Sequence, residues 1–143
     1  MALPTNLVTN EVKNSSGTEV EFARIGPSPT NPNSLRFAFV SEAPAYPQRI
    51  LFSHQEIGDG LKRRRRSLMR VDYSLLGMID ATSIEKVSAQ LVLDSPVGNL
   101  TSNATPTNVL AYLMSLLASQ GASTTILYDG TGYGAAALLS GTL

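Results

Sequence analysis

The sequence predicts an α+β protein, an antiparallel β-meander sheet opened by an N-terminal hairpin and followed by two C-terminal helices. Three observations predict it. Up to residue 94, short alternating segments follow one another at close spacing, each bounded by a cluster of turn formers. After residue 104 the apolar period changes, and Val109, Leu110, Leu113, Leu116 and Leu117 recur at steps of three and four. Between these regions lies KRRRRSLMRVDYSLL, Lys62 to Leu76, where Met69, Val71, Tyr73 and Leu75 share one parity. Arg64, Arg66, Leu68, Arg70 and Asp72 share the other. Side chains of a strand alternate between faces, so this stretch sets an apolar row against a core and a cationic row on the opposite side.

The elements follow in order. Leu7, Val8 and Val12 lead into the turn Lys13-Asn14-Ser15-Ser16-Gly17, after which Val20, Phe22 and Arg24 alternate with Glu19, Glu21 and Ala23. GPSPTNPN, residues 26–33, holds three prolines and reads as a loop rather than a ladder strand. LRFAFV, residues 35–40, is a strand with Leu35, Phe37 and Phe39 on one face. Residues 49–57, RILFSHQEI, set Ile50 and Phe52 against Arg49, Leu51, Ser53 and Gln55. Gly58-Asp59-Gly60 then makes a hairpin into the basic strand. Residues 77–85 read as a loop, and residues 86–94, KVSAQLVLD, as a last strand with Val87, Ala89, Leu91 and Leu93 opposed to Ser88, Gln90 and Val92. Thr105 and Pro106 read as N-cap and first position of a helix stopped at Gly121. Residues 123–128 form a second short segment, helix or strand, and the small apolar residues after it carry no pattern of their own.

A chain of 143 residues suits one domain with one core. Eleven basic and eleven acidic residues cancel, so the molecule as a whole is no generic polyanion binder. Five of the cations nevertheless sit at positions 62–66, and local density governs phosphate binding. Guanidinium pairs with phosphate through two parallel hydrogen bonds, so a sheet face with Arg at alternate positions suits a polyanion. The same run also reads as a solvated strand whose charges deter aggregation. There is no cysteine, which excludes disulfides, thiolate metal sites and a cysteine nucleophile. No apolar run reaches the ~20 residues of a membrane span. The start MALPTNLVTNEV has neither a basic beginning nor a sustained apolar segment, so no signal peptide is expected.

No catalytic constellation stands out. Gly130, Gly132 and Ala135 match a dinucleotide fingerprint by letter, but only eight residues follow Ala135, too few for the helix and acidic residue that the fingerprint needs. The single histidine, His54, has no partners at catalytic or metal-ligand spacing and reads as a surface or hairpin residue. Asp72 lies among cations, where it neutralises neighbours or takes a base amino group. The expectation is no enzyme, no cofactor, no metal and no small-molecule substrate.

Ala45-Tyr46 ahead of RILFSHQ, the basic strand RRSLMRVDYSL, KVSAQLVLDSP closing on Pro96, and the end SxxxLYDGTGY occur in a telling order and spacing. The layout resembles the coat proteins of the small single-stranded RNA bacteriophages, the leviviruses, over roughly residues 7–133, with 134–143 as a C-terminal extension. The resemblance implies one coat-protein domain over 1–143 and an interlocked homodimer whose helices clasp the partner's sheet. It further implies an icosahedral shell, a place in the virion after synthesis in the bacterial host cytoplasm, and no membrane partner. The inward face would bind genomic single-stranded RNA and an operator hairpin that represses replicase translation. Carried over strand by strand, the RNA-binding residues are Arg49, Ser53 and Gln55, then Arg64, Arg66, Arg70 and Asp72, then Lys86, Ser88 and Gln90. Leu51, Leu68 and Val92 stand where the family usually has polar groups, and no aromatic stands at Ser88. Both departures favour packaging through the RNA backbone over base recognition. Two other readings remain: a non-viral nucleic-acid-binding module with a basic sheet face, and a purely structural shell protein whose basic run is solvated.

Overall fold

Six strands of the computed structural model form one antiparallel sheet: β1 (Asn6–Leu7), β2 (Phe22–Ser28), β3 (Asn31–Phe39), β4 (Gln48–Ile57), β5 (Arg64–Leu76) and β6 (Ile84–Pro96). Their order in the sheet is their order in the chain, the meander that the turn spacing predicts. The structure describes residues 2–120 and 125–142. They fall into two compact units, Met1–Thr9 with Glu21–Leu100, and Asn10–Val20 with Thr101–Leu143.

The sheet belongs to the first unit. From Gln48↔Tyr73 to Ile57↔Arg64, and from Arg64↔Pro96 to Leu76↔Ile84, β4, β5 and β6 pair without a register shift. A one-residue slip would turn every side chain over, so this unbroken ladder fixes which residues share a face. The hairpin at Gly58-Asp59-Gly60 forms as expected and ends in a short 3-10 turn, Gly60–Lys62.

Residues 26–33 depart from the expected loop, because β2 runs through Pro27 to Ser28 and β3 starts at Asn31. The prolines fit because each lies where no ladder bond is needed. Pro27 is beyond the reach of β1, which pairs only with Phe22 and Ala23, and Pro32 precedes the first β4 pair, Ser34↔Ser53. The register shifts around Gly26, whose φ of 94° suits only glycine without strain. Ser34 Oγ closes the turn, accepting from the Ser28 amide at 2.8 Å and donating to the Asn31 carbonyl at 2.6 Å. The loop after β5 is shorter than expected, since β6 begins at Ile84. The Gly77 amide reaches the Ser83 carbonyl across it.

Among the described residues, the buried apolar side chains are Leu7, Phe22, Phe37 and Ile50, with Phe37 wholly enclosed. Phe52 meets Phe37 edge-on, and Phe39 meets Phe22 at a tilt. Burial of such side chains stabilises by about 1.5–3 kcal/mol each, so this is a small core for so large a sheet.

In the second unit, residues 12–20 make the tip of the N-terminal hairpin. Asn14 Oδ1 accepts from the amides of Ser16 and Thr18, and Val20 donates to the Val12 carbonyl. Helix α1 (Ala104–Leu117) starts earlier than expected: Asn103 takes the N-cap position and Pro106 falls inside the first turn, where a missing N–H costs nothing. It ends at Ala118, which is extended and leads into β7 (Ser119–Gln120); Gly121, expected to stop it, lies outside the described residues. Of the expected segment 123–128, residues 123 and 124 lie outside them too, and Ile126–Leu127 forms β8, paired antiparallel with β7. The second helix, α2 (Tyr133–Ser140), occupies the stretch expected to be an extension. A Cβ on Gly132 would sit 2.5 Å from the Leu117 carbonyl oxygen and 2.6 Å from that of Ala118. The glycines of DGTGYG therefore let the start of α2 lie against the end of α1. No residue of either helix is buried, and Leu113, Leu116, Leu138 and Leu139 are all exposed.

Candidate nucleic-acid interface

Residues directly paired across an antiparallel ladder share a face. The register therefore assembles rows across β4, β5 and β6: Arg49–Asp72–Ser88, then Leu51–Arg70–Gln90, then Ser53–Leu68–Val92, then Gln55–Arg66–Asp94, then Ile57–Arg64–Pro96. Lys86, opposite Ser74, extends the same face. All ten residues expected at the site thus lie on one side of the sheet. Successive rows are about 7 Å apart, since a strand rises 3.3–3.4 Å per residue.

The cations of this face are held by carboxylates of the same chain. Asp72 accepts from Ser88 Oγ at 2.5 Å and from Arg70 Nε at 3.1 Å, and lies 3.7 Å from Lys86 Nζ. With its neighbours closed over it, its side chain is 12% exposed, which makes it a buried anion on a face expected to be cationic. Arg49 pairs with Glu42, which also takes the Gln48 amide at 3.0 Å. Arg64 donates from Nε to Asp94 at 2.8 Å, and Arg66 lies 3.7 Å from the other oxygen of the same carboxylate. Ser53 is half-buried, whereas Gln55, Ser88 and Gln90 are exposed and offer polar groups between the charged centres.

Strand parity overlooked none of these positions, but the strand-by-strand reading passed over one cation. Arg36 on β3 pairs with Leu51 and so joins the row of Arg70 and Gln90. Its alternation with Leu35 and Phe37 was the available signal. It donates to the Pro27 carbonyl at 3.2 Å, and its Nε is enclosed without a hydrogen-bond partner. The counter-charges Glu42 and Asp94 carried no such signal, because only the fold sets them beside arginines.

The opposite face differs from expectation. Met69, Val71 and Tyr73 were expected against a core, yet they are 40–49% exposed, and Val87 on β6 is 63% exposed. The ladder places them in apolar rows beyond the small core around Phe37. His54 lies on this face and hydrogen-bonds through Nδ1 to Ser67 Oγ at 2.8 Å. At the hairpin end of the same face Arg65 grips Glu56 through two nitrogens, at 2.6 and 3.0 Å, with Arg63 3.9 Å away. The Arg65 hydrogen bonds, helped by the charges of Arg65 and Arg63, hold the Glu56 carboxyl below its ordinary pKa. The run at 62–66 is therefore divided between faces: Arg64 and Arg66 on one, Arg65 on the other. Among the described residues no cluster of three or more His, Asp or Glu side chains could hold a metal ion, and no helix is long and apolar enough to cross a membrane.

By sequence, no family model and no curated protein matches the chain. By structure, it is similar to the coat protein of bacteriophage EMS014, at 14% identity, over 99% of both chains and with a TM-score of 0.67. It is also similar to the virus-like particle protein of Beihai levi-like virus 32, at 15% identity over 68% of this chain and 75% of that one, with a TM-score of 0.55. A third neighbour is the virus-like particle protein of bacteriophage ESE058, at 15% identity over 66% and 77%, with a TM-score of 0.51. The chain has the α+β fold of RNA-phage coat proteins, and the longest of these matches includes the stretch that forms α2.

Proposed function

We propose that this chain, folded as bacteriophage coat proteins are, is itself a capsid protein: one coat-protein domain that dimerises, closes into an icosahedral shell and packages single-stranded RNA. The observation that carries the reading is the fold match along the whole of both chains with a phage coat protein. Neighbours that are virus-like particles support the assembly step. The exposed apolar rows support the dimer, because Met69, Val71, Tyr73 and Val87 need a cover and the leucines of α1 need a surface to cover. In this reading the helices of one copy lie on the apolar sheet face of the other, and the face with Arg49, Arg64, Arg66, Arg70 and Lys86 lines the lumen.

Phosphate contacts dominate the binding, since five cations, Arg49, Arg64, Arg66, Arg70 and Lys86, stand on that face and carry the counterion-release term. Repression of replicase translation through an operator hairpin belongs to the same reading and calls in addition on Ser53, Gln55, Ser88 and Gln90 as base-edge partners. The role is structural, in the virion, and requires no reaction, cofactor or small-molecule substrate. Expression of the chain alone, followed by electron microscopy and extraction of nucleic acid, tests it. Closed shells holding ribonuclease-protected RNA are expected. A folded protein that never assembles would overturn the capsid reading, and shells without RNA would overturn the packaging half.

A further inference from the structure

We propose that Asp94 is a carboxylate gate on the RNA face: it occupies Arg64 and Arg66 in the free protein and yields them to phosphate when RNA binds. The proposal rests on the RNA reading above and names a residue that sets its strength.

The two acidic residues of this face are built differently. Asp72 is enclosed, with Ser88, Arg70 and Lys86 all directed at its carboxylate and only 12% of its side chain exposed. Hydrogen bonds from Ser88 and Arg70 close over it, so it is the more firmly held of the two carboxylates. Asp94 is 39% exposed, and its two arginines are 51% and 57% exposed. An exposed pair of this kind contributes little and is screened by salt, so a phosphate can displace the carboxylate at small cost. The exchange is also close to like for like, since both groups offer paired oxygens to a guanidinium. Arg66 lies directly across the ladder from Asp94, and Arg64 is one row further along the same face. One carboxylate therefore holds both cations at this end of the interface. Freeing them would present two adjacent phosphate-binding centres about 7 Å apart along β5.

The test compares binding of a short single-stranded RNA of unstructured sequence to the assembled dimer, for the wild type and Asp94→Asn, by filter binding across a salt series. Asp94→Asn is expected to tighten binding by roughly two- to tenfold at low salt, the range of weak exposed pairs. Its slope of log affinity against log salt should stay near that of wild type, because in both proteins Arg64 and Arg66 end on phosphate in the complex. In an Arg64→Ala/Arg66→Ala background the same substitution should change neither quantity, because the cations it would free are gone. Unchanged or weaker binding by Asp94→Asn overturns the gate. So does equal tightening in the double-alanine background, which would make Asp94 only one negative charge in a general field. Asp94→Ser serves the same comparison if the asparagine variant does not fold. Absence of RNA binding by wild type and variant alike would overturn the RNA reading itself, a result distinct from either failure of the gate.

Discussion

Along β5, Arg66, Leu68, Arg70 and Asp72 face one way and Met69, Val71 and Tyr73 the other, and the two faces end in opposite states. On the first, Arg49, Arg64, Arg66, Arg70 and Lys86 have each found a carboxylate within the chain. On the second, Met69, Val71, Tyr73 and Val87 remain 40% exposed or more. A solvated charged face is stable as it stands, whereas an apolar patch of this extent marks an interaction surface. In the proposed reading each face takes its own kind of partner: protein on the apolar side, and a polyanion, exchanged for weak internal pairs, on the other.

The largest expected effect comes from charging the apolar face. Val71→Asp, or Leu113→Asp and Leu116→Asp on α1, puts an unpaired anion where a partner should pack. Each large apolar side chain in such a contact stabilises by about 1.5–3 kcal/mol, so dimers should be lost, as monomer or aggregate in sedimentation. A dimer of wild-type strength from Val71→Asp would show that the apolar face is not the contact between copies.

Next in size is the removal of cations from the other face. Arg64→Ala/Arg66→Ala/Arg70→Ala should leave the dimer folded by circular dichroism. RNA affinity should fall, and its log–log salt slope should drop by up to about 2 for single-stranded RNA. Arg63→Ala/Arg65→Ala should do much less, because Arg65 lies on the opposite face and both residues are engaged by Glu56. Equal effects from the two sets would mean that the division of the arginine run between faces does not govern binding.

A smaller effect is expected at the junction of the helices. Gly132→Ala would bring a methyl group within 2.5 Å of the Leu117 carbonyl, so α1 and α2 must move apart. Overpacking of this kind costs about 1–3 kcal/mol, read as a lowered midpoint of thermal or urea unfolding. Midpoints equal to wild type would show that the close approach is not needed.

The smallest effect is at Glu56, whose carboxyl is held below its ordinary pKa by the Arg65 hydrogen bonds and the charges beside it. A depressed carboxylate contributes stability that is present above its unfolded pKa and lost as pH falls through its lower folded value. Stability should therefore soften slightly on the acid side of the ordinary glutamate range. Arg65→Ala should move the Glu56 titration back up, as followed by NMR. An unmoved titration would remove Arg65 as the cause.

Much of the sheet was legible because a strand states its faces by parity alone: Arg64, Arg66, Arg70, Ser88 and Gln90 needed only their spacing and one correct register. The basic strand and the hairpin at 58–60 followed from the same rule. Residues 26–33 misled because proline bars a ladder bond, and whether a bond is required there depends on where β1 ends and the β4 pairing begins. Helix α2 was hidden because GAAALLSG has neither a polar face nor a capping side chain; its place depends on Gly132 and Gly134 closing on α1. The exposure of Val71 and Tyr73 was hidden for a further reason. Alternation states that a row seeks burial but not which chain supplies it. Asp94 became visible only when the ladder set it opposite Arg66.

The most direct test of these assignments is a density map of the assembled particle, resolved well enough to trace β5 and both helices. The row Arg66, Arg70, Asp72 is expected toward the lumen, in contact with RNA density, and the row Met69, Val71, Tyr73 beneath helices of a partner copy. A particle with the arginine row on the outer surface, or with the apolar row left bare, would contradict this arrangement.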